Sequence, residues 1–425
     1  MVRVHPSATR LDRVRLALSR SSGTMPLVTA APAASAAADV LVASRSRWGK
    51  PPARPDGASV CKVASLLPLT PEYIARLESC APSGVTVEVV ALTQAASEQL
   101  RTHNQPVSDN LAIVAEAVEE IDAAIDGAEV WFGAFWDLVP GSRQLEATRF
   151  PPSLRWLCVS QAGAGQVTTY LQEEAKELDS LFVTNVSGMH ARWIGEWVIG
   201  FMSAHCMRLP VFLEQQKVGH WGKQRTANIN GSTVLVVGLG AIGEEVSRLC
   251  KAFGATVLGT RRGVAVASAF PPNVRNAPCD ELHPASALHE LLPRADFVIL
   301  ATPGTAETEA LIGAAELGLM KSTAALINVS RGATVDFAAL GECLRGGGIA
   351  ACYSDVAPTE PLPADDPLWA VPNLFFTPHN SGNPDGVGGA GERYMKASIE
   401  YFAAQLSRYL KGEKIFNRVD NSLGY

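Results

Sequence analysis

The 425-residue chain predicts an α/β fold built from two doubly wound parallel sheets, with a cleft between the two domains. Two observations carry this. Short apolar runs alternate with helical stretches along most of the chain after residue 57, the pattern of parallel strands joined by helical crossovers. The chain is also too long for one typical domain, and the alternation falls into two sets, the second opening on "VLVVGLGAIG" at Val234.

In the first set, "SVCKVASLL" (59–67) reads as a strand, "TPEYIARLESC" as a helix and "GVTVEVVAL" as a strand. The polar span 93–110 reads as a loop and Ala112–Ile125 has helical spacing. "AEVWFGAF" is strand-like, and "LRWLCVSQAGAG" is a strand that enters a glycine-rich turn. Strands of the second set are expected near 234–237, 256–259, 296–301, 325–329, 350–354 and 374–377, which is enough for a complete doubly wound unit. A last helical stretch, about Glu392–Lys411, has no strand after it and is expected to return to the first unit. The domains are therefore drawn at 58–197 plus 385–416 and at 198–384, with 417–425 as a C-terminal tail.

Residues 1 to about 57 differ in composition. Arg3, Arg10, Arg13, Arg15 and Arg20 lie among Ser, Ala and Thr, and Asp12 is the one acid before Asp39. This resembles an organellar transit peptide, of mitochondrion or chloroplast; a disordered cytosolic tail is the alternative. Because the first strand starts near Val60, removing residues 1–56 is expected to leave the fold intact.

The net charge of −6 and the lack of a basic run interleaved with aromatics argue against a nucleic-acid partner. No apolar run has the roughly 18 residues of a membrane span. Eight scattered cysteines without a CxxC pair point to reduced, buried thiols. No metal is implied, since His190, His205 and His220 lack ligand spacing; a structural hydrogen bond is the expected role of His190. Trp131, Phe132, Phe135 and Trp136 are expected to pack in a core rather than line a pocket.

The turn Gly238-Leu-Gly240-Ala241-Ile242-Gly243 lies between an apolar strand and an amphipathic helix. Glycine permits the tight turn, the close approach of a pyrophosphate and tight helix–strand packing, while the helix N-terminus faces the phosphates. Both units are expected to be Rossmann-like from their alternation, and this turn makes the second the expected dinucleotide site. Where an NAD site usually has an acid, this chain has Thr260, Arg261 and Arg262. Arg261 removes the charge that repels a 2′-phosphate, Arg262 adds a second cation, and Thr260 offers a hydroxyl. NADPH is the expected cofactor, with NAD possible, and reduction the expected direction.

Three segments end successive strands of that unit. "INVSRG" carries Arg331, "YSDVAPTEP" carries Asp355 and Glu360, and "FFTPHNSG" carries His379. Ligands of open parallel sheets sit outside these carboxyl ends. An arginine there can hold a carboxylate or keto oxygen, and a histidine oriented by a carboxylate can exchange a proton.

Together with "SQAGAG" (160–165), "VTNVSGMHARWIGEW" (183–197), "GHW" (219–221), "VVGLGAIG" and "ATPGTAET", these segments resemble the D-isomer-specific 2-hydroxyacid dehydrogenase family over about Ser59 to Phe416. The resemblance implies hydride transfer between a nicotinamide and a small 2-oxo/2-hydroxy acid of the glyoxylate or hydroxypyruvate kind, and a homodimer. It implies Arg331 as the substrate anchor, His379 as acid/base with Glu360 as its partner, and Asp355 at the carboxamide side of the nicotinamide. The amides of Ala162 and Gly163 would hold the substrate carboxylate, with Thr302 and Pro303 at the cofactor. A second reading is a redox-sensing, corepressor-like interaction protein on the same fold. A formate dehydrogenase-like activity is disfavoured by Glu360, where that branch has Gln. The chain departs from many members in lacking an Asp near Gln166 and in its glycine-rich run 382–391.

Overall fold

The first sheet has strand order β2-β1-β3-β4-β5 and is parallel throughout. Its strands are β1 (Val60–Ser65), β2 (Thr86–Ala91), β3 (Val130–Gly133), β4 (Trp156–Val159) and β5 (Phe182–Asn185). The protein is seen in a computed structural model that describes residues 49–55, 57–95, 123–133, 152–160, 181–264, 268–269, 278–383 and 391–420. All of these belong to a single unit, Ala37–Tyr425. Helix α1 (Pro71–Glu78) joins β1 to β2; the Thr70 hydroxyl accepts from the Tyr73 amide at 3.3 Å, and Pro71 occupies the first turn, where no donor is missed. The expected strands at 59–67, 84–92, 128–135 and 154–159 are all present, while β5 was not anticipated. "FVTN" is four residues long and half polar, too short to show a period.

Long helix α2 (Ala191–Cys206) leaves the end of β5, and α3 (Leu209–Lys217) follows it. Ile194, Val198, Met202 and Cys206 pack with Val246 and Cys250 in the core of the second unit. The boundary drawn at 197 therefore falls inside a helix; α2 belongs to the second core from its first turns.

The second sheet contains β6 (Thr233–Val237), β7 (Thr256–Arg261), β8 (Ser268–Ala269), β9 (Glu281–Pro284), β10 (Phe297–Leu300), β11 (Ala325–Asn328), β12 (Ala351–Ser354) and β13 (Leu374–Phe376). Their order is β13-β12-β11-β10-β6-β7-β9-β8, and every pairing is parallel except the edge pair β8–β9. The six expected strands are there, and β9 and β8 extend the sheet past β7. Helix α4 (Ala241–Ala252) follows β6; α5 (Leu288–Leu291), α6 (Ala314–Leu319) and α7 (Phe337–Arg345) complete the layers. The Asp336 side chain caps α7 by accepting from the Ala338 and Ala339 amides, both at 3.0 Å.

Helix α8 (Glu392–Leu410) returns to the first sheet, as expected of a last helix with no strand after it. Phe402 stacks on Phe132 with ring centroids 4.2 Å apart, and Trp156 packs between Phe402 and Tyr409. Trp131 and Phe132 are core residues; Phe135 and Trp136 lie outside the described residues.

Both tails are shorter than expected, and their boundaries move toward the chain ends. Gly49 and Ile415 exchange backbone hydrogen bonds of 2.9 Å each. The Arg54 guanidinium grips the buried Glu129 carboxylate at 2.8 and 3.2 Å, and the Tyr409 hydroxyl donates to the same carboxylate at 2.7 Å. The segment 49–55 is thus built into the first domain, and the limit at 57 is too late. At the other end, Asn417 and Val419 are buried, and the Val419 amide donates to Val183 O at 2.9 Å. All eight cysteines are free thiols, and burial pushes Cys61, Cys158, Cys250 and Cys279 up to about 12. Among the described residues no helix is long and apolar enough to cross a membrane, and no cluster of His, Cys, Asp and Glu suits a metal.

Candidate active site

Residues that end β11, β12 and β13 meet at one edge of the second sheet. The Asn328 side-chain oxygen accepts from the Ser330 amide at 3.0 Å and its hydroxyl at 2.7 Å, while Asn328 Nδ2 donates to Arg331 O at 3.1 Å. This stiffens the turn that presents Arg331. Gly332 is required because a Cβ there would lie 1.8 Å from Ala357 O; the arginine turn is pressed against the loop that carries Glu360. Among the described residues, the Arg331 side chain donates to one partner, Ser330 O, at 2.7 Å. Burial lowers its affinity for the proton, and the nearby Glu360 charge works the other way.

His379 Nδ1 lies 2.7 Å from Glu360 Oε2, and Glu360 Oε1 accepts from the Ala357 amide at 3.0 Å. Burial raises the Glu360 proton affinity, but the His379 hydrogen bond and charge, the Ala357 amide and Arg331 outweigh it and hold the carboxyl below its usual range. Ionised Glu360 can only accept, so Nδ1 carries the proton in this pair and Nε2 is left for chemistry. His379 has φ +52°, a left-handed backbone that costs a non-glycine residue energy unless its surroundings enforce it. Its amide donates to Asp355 O and Thr377 O at 2.8 and 2.9 Å. The Asp355 side chain, 1% exposed, accepts from Thr377 Oγ1 at 2.5 Å and from the Asn380 and Ser381 amides at 3.0 Å. Asp355 is thus the anchor of the His379 loop.

The glycine turn has the shape of a dinucleotide cradle. Gly238 has φ +97°, and a Cβ there would meet Ala301 O at 2.9 Å. A Cβ on Gly243 would lie 2.1 Å from Gly238 O, whereas Gly240, at the N-cap of α4, faces open space. Ala241 and Ile242 open the helix, so their amides have no carbonyl of the preceding turn to bond. Beside Gly238, the buried Thr302 hydroxyl has no hydrogen-bond partner among the described residues. Open space, free helix amides and an orphaned hydroxyl all fit a bound dinucleotide.

The NAD binding domain model of the D-isomer specific 2-hydroxyacid dehydrogenases matches residues 199–381. A Haemophilus influenzae protein of the 2-hydroxyacid dehydrogenase type is 30% identical over 267 residues, 60% of this chain and 79% of its own length. The chain belongs to the D-isomer specific 2-hydroxyacid dehydrogenase family. A glyoxylate reductase from Korarchaeum cryptofilum is 28% identical over 312 residues, 71% of this chain and 83% of its own. A D-3-phosphoglycerate dehydrogenase from Methanocaldococcus jannaschii is 32% identical over 264 residues, 62% of this chain, which spans only 47% of that longer protein. A crystal structure of a family protein from Aeromonas salmonicida subsp. salmonicida superposes with a TM-score of 0.64 at 25% identity, covering 85% of this chain and all but 1% of that one (99%).

As a member of this family of NAD(P)-dependent oxidoreductases, the chain shows two features at its cofactor edge beyond those read from the sequence. Thr260 is 2% exposed, and its carbonyl accepts from Gly238 and Leu239 at 3.2 and 2.9 Å while its hydroxyl lies 3.4 Å from the Gly238 amide. It holds the glycine turn, and Arg261 and Arg262 form the accessible cationic pair. Each arginine already has a carboxylate: Arg261 Nη1 lies 3.4 Å from Glu244 and Arg262 Nη1 3.0 Å from Glu307. The acid directly after the third glycine was a visible signal for the first pair. His190, expected to make a structural hydrogen bond, instead packs its ring against Trp193 and Tyr394, with Gly382 of the His379 loop beside it. Burial lowers its pKa to about 4. Ala162 and Gly163 lie outside the described residues.

Proposed function

We propose that the chain reduces a small 2-oxo acid, of the glyoxylate or hydroxypyruvate kind, with NADPH. The observation that carries this is the 2.7 Å pair of His379 Nδ1 and Glu360 Oε2, set beside the desolvated guanidinium of Arg331. Arg331 needs an anion, and its planar fork suits the carboxylate and keto oxygen of such an acid. A bound reduced nicotinamide supplies hydride to the keto carbon. His379 Nε2 gives a proton to the keto oxygen, and Glu360 stabilises the imidazolium before that transfer and keeps the ring aimed. In the reverse direction Nε2 takes the proton from the hydroxyl. The Ala162 and Gly163 amides would hold the substrate carboxylate, and Asp355 would also touch the carboxamide side of the nicotinamide. The resemblance to glyoxylate reductase supports the substrate class.

The cationic edge at Arg261 and Arg262 supports NADPH over NADH. A charge-assisted hydrogen bond to the 2′-phosphate contributes about 1.5–3 kcal/mol, or roughly ten- to a hundredfold. The test is kcat/KM for NADPH and NADH across a panel of oxo acids, in wild type and Arg261→Asp. Wild-type preference for NADH, or no swing toward NADH in the variant, overturns the cofactor reading. His379→Gln should lower kcat by roughly two to four orders of magnitude; near-normal turnover overturns the acid/base assignment.

The chain is further proposed to act as a homodimer. Helix α3 buries none of its residues, and Met207, Leu209, Leu213, Val218 and Trp221 expose large apolar side chains, Trp221 by 97%. Such a cluster is unusual for a monomer surface, and a second copy is the occupant proposed for it.

A further inference from the structure

We propose that Glu307 sets how strongly the chain discriminates between phosphorylated and unphosphorylated dinucleotides, by holding Arg262 when no 2′-phosphate is bound. This rests on the NADPH reading above. Arg262 stands on the turn after β7, and Glu307 on the short helical turn Ala306–Thr308 that follows β10. In the sheet, β6 lies between those two strands. The 3.0 Å ion pair of Arg262 Nη1 and Glu307 Oε2 therefore reaches across the end of β6, where the glycine turn would receive the dinucleotide.

Glu307 is presented from a stiff support. The Thr308 hydroxyl donates to Pro303 O at 2.7 Å, and the Thr305 amide donates to Thr308 Oγ1 at 2.9 Å. The segment that leads from β10 into this turn carries Thr302, whose buried hydroxyl lacks a partner among the described residues and lies beside Gly238. One segment, Thr302 to Thr308, thus borders the cofactor cradle at one end and grips Arg262 at the other.

The consequence follows from charge. A 2′-phosphate arriving at Arg262 must either displace the Glu307 carboxylate or share the guanidinium with it, and the two anions repel. A dinucleotide with a free 2′-hydroxyl brings no charge to this corner and meets no such penalty. Glu307 accordingly narrows the preference for NADPH that the arginines create. The side chains of Arg262 and Glu307 are 50% and 72% exposed, so water and salt weaken the pair. An exposed ion pair of this kind contributes about two- to fivefold in an equilibrium constant.

The experiment is titration calorimetry of the full chain with NADPH, NADH, 2′,5′-ADP and 5′-AMP, at low and high salt. It is run on wild type, Glu307→Gln, Arg262→Gln and the double variant. Glu307→Gln should bind NADPH and 2′,5′-ADP about two- to fivefold more tightly and leave NADH and 5′-AMP unchanged. The gain should vanish at high salt and in the Arg262→Gln background. An equal change for all four ligands, or a gain that persists without Arg262, overturns the proposal. If wild type prefers 2′,5′-ADP to 5′-AMP and Glu307→Gln matches it, the NADPH reading stands and the role of Glu307 falls. If wild type shows no preference for the 2′-phosphate, both fall.

Discussion

Replacing Asp355 by Asn tests whether one buried carboxylate positions the acid/base residue. Both carboxylate oxygens are engaged: one accepts from Thr377 Oγ1 and the Asn380 amide, the other from the Ser381 amide. An asparagine keeps the shape but offers one oxygen. Whichever way it is turned, its NH2 faces a backbone N–H of the loop, so at least one charge-assisted bond is lost and a buried donor is stranded. That costs about 1.5–3 kcal/mol. Part of it should appear as displacement of His379, whose left-handed φ of +52° is maintained by this loop. A shift of about 1 Å at a reacting group can cost on the order of a hundredfold in rate. Asp355→Asn should therefore lower kcat by about ten- to a hundredfold, with stability reduced by the amount above. Nicotinamide absorbance gives the rates and urea unfolding the stability. A kcat within twofold of wild type refutes the reasoning. A raised dinucleotide KM at unchanged kcat would place the function of Asp355 on the cofactor and not on the loop.

Removing residues 1–48 should leave the melting temperature unchanged, while removing 1–56 strips Arg54 from the buried Glu129 and costs about 3–5 kcal/mol, visible as a melting point roughly 10 °C lower. Equal melting points for the two truncations would overturn the role given to 49–55. If the first 48 residues are an organellar address, as proposed from their composition, a reporter fusion of the full chain should enter an organelle and the shorter truncation should remain in the cytosol. His190 takes up a proton near pH 4 in the folded chain, against 6.5 when unfolded. Between those values only the unfolded chain binds that proton, so stability drops as the pH falls from 6.5 to 4, by up to about 3 kcal/mol. His190→Phe should flatten that stretch of the urea midpoint against pH, and parallel curves would show that the ring does not contribute. Leu213→Asp with Trp221→Ala should convert the proposed dimer to a monomer in sedimentation; a wild-type chain that sediments as a monomer removes the dimer.

The sequence by itself determined the fold class, the glycine turn and the chemical set at the strand ends. Each of these is local. Apolar runs of strand length, glycines at fixed offsets, and Arg331, Glu360 and His379 placed just after apolar strands can be read without knowing which strands are neighbours. The tertiary structure decided the rest. "FVTN" and "ELHP" are too short and too polar to announce strands, and become β5 and β9 because adjacent strands offer them a ladder. Arg54 looked like part of a tail because Glu129, its partner, lies 75 residues away, and Arg262 meets Glu307 across 45. Asp355 was legible as a site residue, but its grip on the His379 loop depends on β12 and β13 lying side by side. Periodicity records which face of a segment is apolar and carries no information on which segment will face it. Long-range pairs of charged and polar side chains are therefore written only in the folded arrangement of the sheets.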